Sequence, residues 1–182
     1  MELGKTGLFE FTIYPEHPYF GEVEVMTARV SVYRRDTIIF DGRVLKIEYG
    51  FRNEKRVSCE GALSFLLDSI VEPTAYYGDN LEYLEQLLRT HNAQVGSDKQ
   101  FRLGDFTAGN YYPFEVSSSE YTTTLDEINK RIIDGSDAYL QVRNVAGVLY
   151  LDVLSYQVDV SNMSSQAIEF GKNLLDIKRE TN

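Results

Sequence analysis

Tryptophan is absent from this 182-residue sequence, cysteine occurs once, histidine twice, methionine three times and proline four times. Each scarcity closes a class of function. A lone Cys59 cannot form an internal disulfide, and one cysteine with two histidines leaves too few ligands for the usual zinc centres. Carboxylate-only Ca²⁺ or Mg²⁺ sites remain open. No apolar run reaches the roughly 18 residues that mark a transmembrane helix, so no membrane insertion is expected. The opening Met1-Glu2-Leu3-Gly4-Lys5 lacks the charged-then-apolar order of a secretory signal. Positive charge is the minority: 18 Lys and Arg face 28 Asp and Glu, a net charge of −10. That balance argues against specific nucleic-acid binding, which needs clustered cations. The glycines form neither GxGxxG nor a Walker loop, so nucleotide binding has no support.

What is present is an ordinary apolar share, 43%, in a chain that fits one large domain or two small ones. Residues 41–69, DGRVLKIEYGFRNEKRVSCEGALSFLLDS, organise the rest. Val44, Leu45 and Ile47 begin an extended run. Gly50 and the Arg52-Asn53-Glu54 cluster supply a reversal, because Gly and Asn tolerate positive φ. Arg56, Val57, Ser58 and Cys59 read as a second strand. At Glu60 the apolar period changes from two to about 3.6 residues. The spacing predicts a helix that buries Ala62, Leu63, Leu66, Leu67 and Ile70 and closes near Glu72-Pro73.

Before this stretch, Phe9, Phe11 and Ile13 alternate with Glu10 and Thr12, a half-buried strand ended by Pro15 and Pro18. Residues 23–33 look extended, Arg34-Arg35-Asp36 is a hairpin tip, residues 37–40 return, and Asp41-Gly42 is expected to bend the chain. Roughly five strands in this first part predict a small barrel or sandwich. After it the pattern is α/β. Asp79 and Glu82 form a capping box for a helix burying Leu81, Leu84, Leu87 and Leu88, with Asn92 as its stop. A strand is expected at residues 100–103 and a loop-like stretch at 104–119. Thr124 and Glu127 read as a second capping box before Leu125, Ile128 and Ile132, with Ile133 as a further inward candidate and Gly135 at the C′ position. Residues 138–143 and 148–154 read as a hairpin, and 161–165 as a polar linker. The fold class is α+β: a partial β-barrel-like domain at residues 1–59 and an α/β domain at 60–160.

Searching for chemistry yields no catalytic, cofactor-binding or metal-ligating set. His17 sits in a turn with no nameable partner, which favours an exposed turn histidine over a catalytic base. His91 ends a helix, where capping or packing explains it. Cys59 reads as a small core hydrophobe before a helix, and no cysteine–histidine peptidase pattern accompanies it. Asp126-Glu127 and Glu82/Glu85 are explained by helix N-terminal electrostatics and a solvated face. The aromatic content is unusual, with 13 tyrosines and 10 phenylalanines. Tyr76, Tyr77, Tyr111, Tyr112 and Phe114 are expected in loops. They act there either as loop anchors or as subunit contacts, where tyrosine is enriched, and both readings stay open.

The strand GRV and its polar turn lead into CEGALSFLLDSI. LEYLEQLLRTHNAQV (residues 81–95), SSSEYTTTLDEINKRII (117–133) and QAIEFGKNLLDIKRE (166–180) follow in order. Together with GLFEFTIYPEHPYF (7–20) they resemble the tail hub proteins of long-tailed phages and prophages of Gram-positive bacteria. These are the N-terminal regions of the prophage tail endopeptidase or phage minor structural protein family, similar to the central baseplate hub of contractile-tailed phages. The resemblance covers nearly the whole chain and rests on the ordered series rather than on any one motif. It implies a structural component of the tail tip, located in the virion at the distal end of the tail and made in the bacterial cytoplasm. It implies self-association as a homotrimer whose barrel-like parts form a pseudo-sixfold ring. The implied partners are the distal tail protein and the tail tube, DNA passes through the ring, and no cofactor is required. Residues 161–182 would then be a linker and the start of a second β-barrel-like domain, and the chain is expected to be a fragment of a larger hub protein. The net negative charge fits solubility and, in a hub, channel walls that do not trap phosphates. Two alternatives stand. One is the N-terminal anchor of a tail-associated peptidoglycan endopeptidase whose catalytic domain lies outside this chain. The other is a cell-wall carbohydrate-binding module using the loop tyrosines.

Overall fold

In the computed structural model, which describes residues 6–108 and 114–156, the organising stretch falls inside a curled antiparallel sheet. Its strands are β1 (Leu8–Ile13), β2 (Arg29–Arg34), β3 (Thr37–Tyr49) and β4 (Lys55–Gly61), in the spatial order β1-β4-β3-β2. The chain is mixed α+β, and this sheet is a half-barrel. Register follows from alternation. Phe9 and Val44 both pair with Cys59, Phe11 and Ile47 with Val57, and Val32 with Phe40. One face therefore gathers a core of Ile13, Phe40, Val44, Val57 and Cys59, against which Phe9, Phe11, Val30, Val32 and Ile47 pack. The residues between them, including Glu10, Arg29, Ser31, Asp41, Arg43, Ser58 and Glu60, belong to the other face.

Several sequence expectations change here. The first part has four strands rather than about five, because the runs expected at 37–40 and from Val44 are one strand, β3; β2 in turn begins only at Arg29, after a turn with Met26 at φ 66°. β3 runs unbroken through Asp41-Gly42, which does not bend. Gly42 instead lies opposite Gly61, and a Cβ placed on it would sit 2.0 Å from the Glu60 carbonyl oxygen. The glycine is there for close backbone approach. Leu45 is exposed because the β3–β4 register shifts between Val44 and Lys46, which leaves it as the extra residue of a bulge. The five-residue reversal at 50–54 is as expected, with Asn53 at φ 60° and the Gly50 N–H donating to the Glu54 carbonyl.

The predicted helix after Cys59 is a 3-10 segment, Ala62–Asp68. With three residues per turn rather than 3.6, Ala62 and Phe65 stack on one row and Leu63 and Leu66 on another. Phe65 is thus buried with Ala62; Ser64 is buried as well, whereas Leu67 and Ile70, expected inside, are exposed. The segment ends at Ser69 and leads directly into β5 (Ile70–Val71).

The second part comprises β5, β6 (Ala75–Gly78), α1 (Asn80–Gln94), β7 (Phe101–Phe106), β8 (Phe114–Ser117), β9 (Thr122–Thr123), α2 (Thr124–Ile128), β10 (Ala138–Val145) and β11 (Val148–Ser155). β10-β11-β7 form a mixed sheet in which β7 and β11 run parallel; β5 pairs with β9 and β6 with β8. α1 begins as predicted: the Asp79 carboxylate accepts from the Glu82 N–H at 2.7 Å. Its buried stripe adds Tyr83 and His91, while Leu81 is only half-buried. Asn92 does not stop the helix. Its side chain donates to the Phe101 carbonyl at 2.8 Å and accepts from the Phe101 N–H at 2.9 Å, so an amide imitates a neighbouring strand. α2 is capped one residue earlier than predicted, by Thr123, which accepts from the Asp126 N–H at 3.1 Å. A π-helical turn, Asn129–Ile133, extends it before Gly135 at φ 79°. The β10–β11 hairpin turns at Ala146-Gly147, both at positive φ, with the Gly147 N–H donating to the Asn144 side chain. These elements enclose a second core built on Leu66, Tyr83, Leu84, Leu87, Phe101, Val116, Ile128, Leu140, Leu149, Leu151 and Val153. The linker and second-barrel expectations for 161–182 lie outside the described residues.

Candidate functional site

The two apolar cores are separate, and what joins them is polar. The face of the half-barrel opposite its core meets the 3-10 segment, the turn before β7 and the tip of the β10–β11 hairpin. Arg43, on β3, is nearly fully buried. Its guanidinium bonds the Glu60 carboxylate at 2.7 Å across the sheet and Asp68 at the end of the 3-10 segment. Lys99 Nζ reaches the same Asp68 oxygen at 2.8 Å. Arg29 grips Asp41 through two bonds, of 3.0 and 2.6 Å, and donates to the Asp98 carbonyl at 3.0 Å. Asn144 donates to Asp41 at 2.6 Å, crossing from the hairpin tip to the half-barrel. At the centre lies the buried Phe65 ring, with the Arg43 guanidinium 5.5 Å from its centroid and Arg29 and Lys99 each 6.0 Å away.

The electrostatics follow from the geometry. Burial alone would raise the Asp68 carboxyl, but hydrogen bonds from Arg43 and Lys99 outweigh it and hold the group below its ordinary value. Burial opposes ionisation of Asp41 in the same way, and its bonds from Arg29 and Asn144 prevail. Burial also works against the Arg43 charge, and Asp68 and Glu60 more than compensate. An interface of paired charges around one ring sets orientation and register more than it supplies net stability.

Two further buried polar groups hold the α/β part together. The Tyr83 hydroxyl donates to Glu127 Oε1 at 2.8 Å, and Arg131 reaches the same oxygen at 3.3 Å. Glu127 is thus a core anchor of α2 and not the capping-box residue that its spacing predicted. Asp152, on β11, accepts from both Arg143 and the Asp105 N–H, the latter at 2.7 Å. That N–H belongs to a bulge on β7, where the β7–β11 register shifts. Gly104 makes the room, since a Cβ there would lie 1.9 Å from the Asp152 carboxylate.

Among the described residues, His91 makes the one contact with catalytic form. Its Nε2 faces the Lys99 carbonyl at 3.0 Å and must carry the proton, so Nδ1 accepts from the Ser69 hydroxyl at 2.7 Å. Ser69 in turn lies 2.7 Å from the Thr124 hydroxyl. A histidine beside a serine has the arrangement of a base and a nucleophile, but Ser69, His91 and Thr124 are completely buried. Burial holds the imidazole below its ordinary value. The group ties the end of the 3-10 segment to both helices, a packing role rather than a helix C-cap. Thr124, expected in a capping box, is part of this clamp.

His17 is exposed, with its Nδ1 accepting from the Tyr19 N–H at 3.2 Å. Cys59 is buried in the half-barrel core, where burial pushes its thiol up to about 11. Among the described residues no group of three or more His, Cys, Asp or Glu side chains could hold a metal ion. Tyr76 and Tyr77, expected in loops, form β6. Tyr76 is half-buried, its ring 4.7 Å from that of Tyr83 and its hydroxyl donating to the Asp79 carbonyl; Tyr77 is 76% exposed. Phe114 opens β8, also not a loop, and Tyr111 and Tyr112 lie outside the described residues. The half-barrel presents more exposed aromatics: Tyr14, Tyr19, Tyr49 and, at the tip of the β3–β4 reversal, Phe51, which is as exposed as an isolated residue.

The sequence reading missed Arg43, Phe65, Asp68 and Lys99 as a group. A charge at an inward-reading position of an apolar strand, as in DGRVLKI, was the available signal. It could not name the partners. No family model matches the chain, and no curated protein matches it either.

Proposed function

We propose that this chain is a structural component of a phage or prophage tail tip, a hub that assembles as a ring at the distal end of the tail and lets DNA pass. The observation that carries this reading is the curled half-barrel, whose outer strands β1 and β2 pair on one side only among the described residues. Open edges of a curved sheet invite completion by further strands or neighbouring subunits. The exposed aromatics Tyr14, Tyr49, Phe51 and Tyr77 add the residue types that dominate subunit contacts. The polar seam supports the reading too, since it orients an α/β part on a barrel part without merging their cores. The work assigned to the chain is symmetry matching through a homotrimer, with the tail tube and distal tail protein as neighbours. It needs no reaction and no cofactor.

Immunogold electron microscopy on particles induced from the source bacterium tests this. Antibody against the chain is expected to place gold at the far end of the tail. Gold on the cell wall with intact tails unlabelled would reject the hub.

A further inference from the structure

β2 is the outermost strand of the half-barrel sheet, and the outer row of its backbone N–H and C=O groups has no partner strand among the described residues. Beside it lies an open groove of about 730 Å³, lined by Arg29, Ser31 and Tyr33 of β2, Asp36 of the β2–β3 turn, and Asn144 and Val145 of the β10–β11 hairpin; Arg34 and Arg35 lie outside it, at the end of the strand. Residues 29, 31 and 33 line it because side chains two apart on a strand share a face. The polar ones at its inner end are already committed: Arg29 and Ser31 both bond Asp41. What the groove offers is apolar, through Tyr33 and Val145, both more than half exposed.

Natural sheets protect such edges with proline, inward-pointing charge, lysine or a bulge on the edge strand. β2 has none of these along Val30-Ser31-Val32, and the register shift of the β2–β3 pair places the extra residue, Ile39, on β3. Its charges lie at its ends, and Arg29 at the first end is already paired with Asp41. Arg34 and Arg35 are exposed and form no ion pair among the described residues, in a chain whose net charge is −10. This charge selects the occupant. Antiparallel pairing of two β2 strands centred on Ser31-Val32 would bring the exposed Arg34-Arg35 pair of each copy to the ends of one ladder, with Arg34 facing the other copy's Arg29, which Asp41 already pairs. Like charges facing across a ladder are destabilising. An acidic strand has the opposite balance.

We infer that the β2 edge and its groove take an extended, acidic segment of a partner protein as an additional strand. Main-chain hydrogen bonds supply affinity, Tyr33 and Val145 receive apolar side chains, and Arg34 and Arg35 receive the carboxylates.

The test is an NMR titration of the full chain, ¹⁵N-labelled, with the synthetic peptide EVEVTVE and with its basic counterpart KVKVTVK. The acidic peptide is expected to shift amides of residues 29–37 and 144–147, and to bind about tenfold or more tighter than the basic one. The double variant Arg34→Glu/Arg35→Glu changes exposed side chains only and is expected to keep the amide spectrum of the folded chain. It is expected to lose about tenfold in affinity for the acidic peptide and to gain affinity for the basic one. Equal binding of the two peptides, no binding of either, or an unchanged affinity in the double variant would overturn the inference. So would a dimer in sedimentation whose formation protects the β2 amides, which would assign the edge to a second copy.

Discussion

Gly42 shows how one residue sets a sheet. Its missing Cβ lets β3 and β4 close to a distance at which any side chain would strike the Glu60 carbonyl at 2.0 Å. Gly42→Ala is therefore expected to cost about 3 kcal/mol in urea unfolding, whereas Gly21→Ala, with nothing within 4 Å, should stay within about 0.5 kcal/mol. His91 makes a different prediction. Burial depresses its folded-state value below the ordinary 6.5, so the unfolded chain takes up a proton that the folded chain refuses. Its contribution is present above pH 6.5 and is lost as pH falls below it. Asp41 and Asp68, also depressed, lose their contributions only lower, as pH falls through their ordinary 3.8 and below. Melting temperature against pH should fall in two stages, and His91→Gln should abolish the upper stage while leaving the lower.

At the scale of elements, the helices are placed by their caps and the strands by exceptions to regularity. Asp79→Ala removes the acceptor for the Glu82 N–H at the start of α1 and should cost about 1 kcal/mol, measured by thermal unfolding. Asp79→Asn retains an acceptor and should recover most of that. This cap was legible because Asp followed three residues on by Glu before an apolar stripe is a local signal. The cap of α2 was misplaced by one residue because three successive threonines offer the same chemistry. Only the buried partners Ser69 and Tyr83 decide that Thr124 and Glu127 face inward. The 3-10 segment was read as an α-helix for a similar reason. A run of Ala62, Leu63, Phe65 and Leu66 fits both periods over seven residues, and the distinction is made by where Arg43 and Lys99 need Asp68.

For the whole molecule, the polar seam determines how the half-barrel sits on the α/β part. Asp68→Ala would leave Arg43 buried with Glu60 alone and release Lys99, and it is expected to cost about 2 kcal/mol. Because the seam is largely shielded from solvent, 1 M NaCl should recover little of the loss. The Lys46–Glu48 pair, more than half exposed on both sides, gives the contrast: Lys46→Ala should leave the unfolding midpoint unchanged. The same comparison by hydrogen exchange is expected to show faster opening of β2 and of the β10–β11 tip in Asp68→Ala, with the core of α1 unaffected. Uniform acceleration through both cores would mean that the seam is an ordinary part of a single cooperative unit.

Local chemistry was enough to determine the α+β class, the half-buried strands at either side of the Gly50 reversal, the capped α1 and the β10–β11 hairpin. Each depends on alternation, capping or turn residues within a few positions of one another. Tertiary structure alone decided that β3 runs straight through Asp41-Gly42, that Tyr76 and Tyr77 form a strand, and that His91 meets Ser69. It alone decided that Arg29, Arg43 and Lys99 gather around Phe65. These choices rest on partners 22 residues apart in the case of Ser69 and His91 and 103 apart in the case of Asp41 and Asn144. A buried charge or hydroxyl must find a partner wherever the fold brings one, and no periodicity in the chain records where that will be.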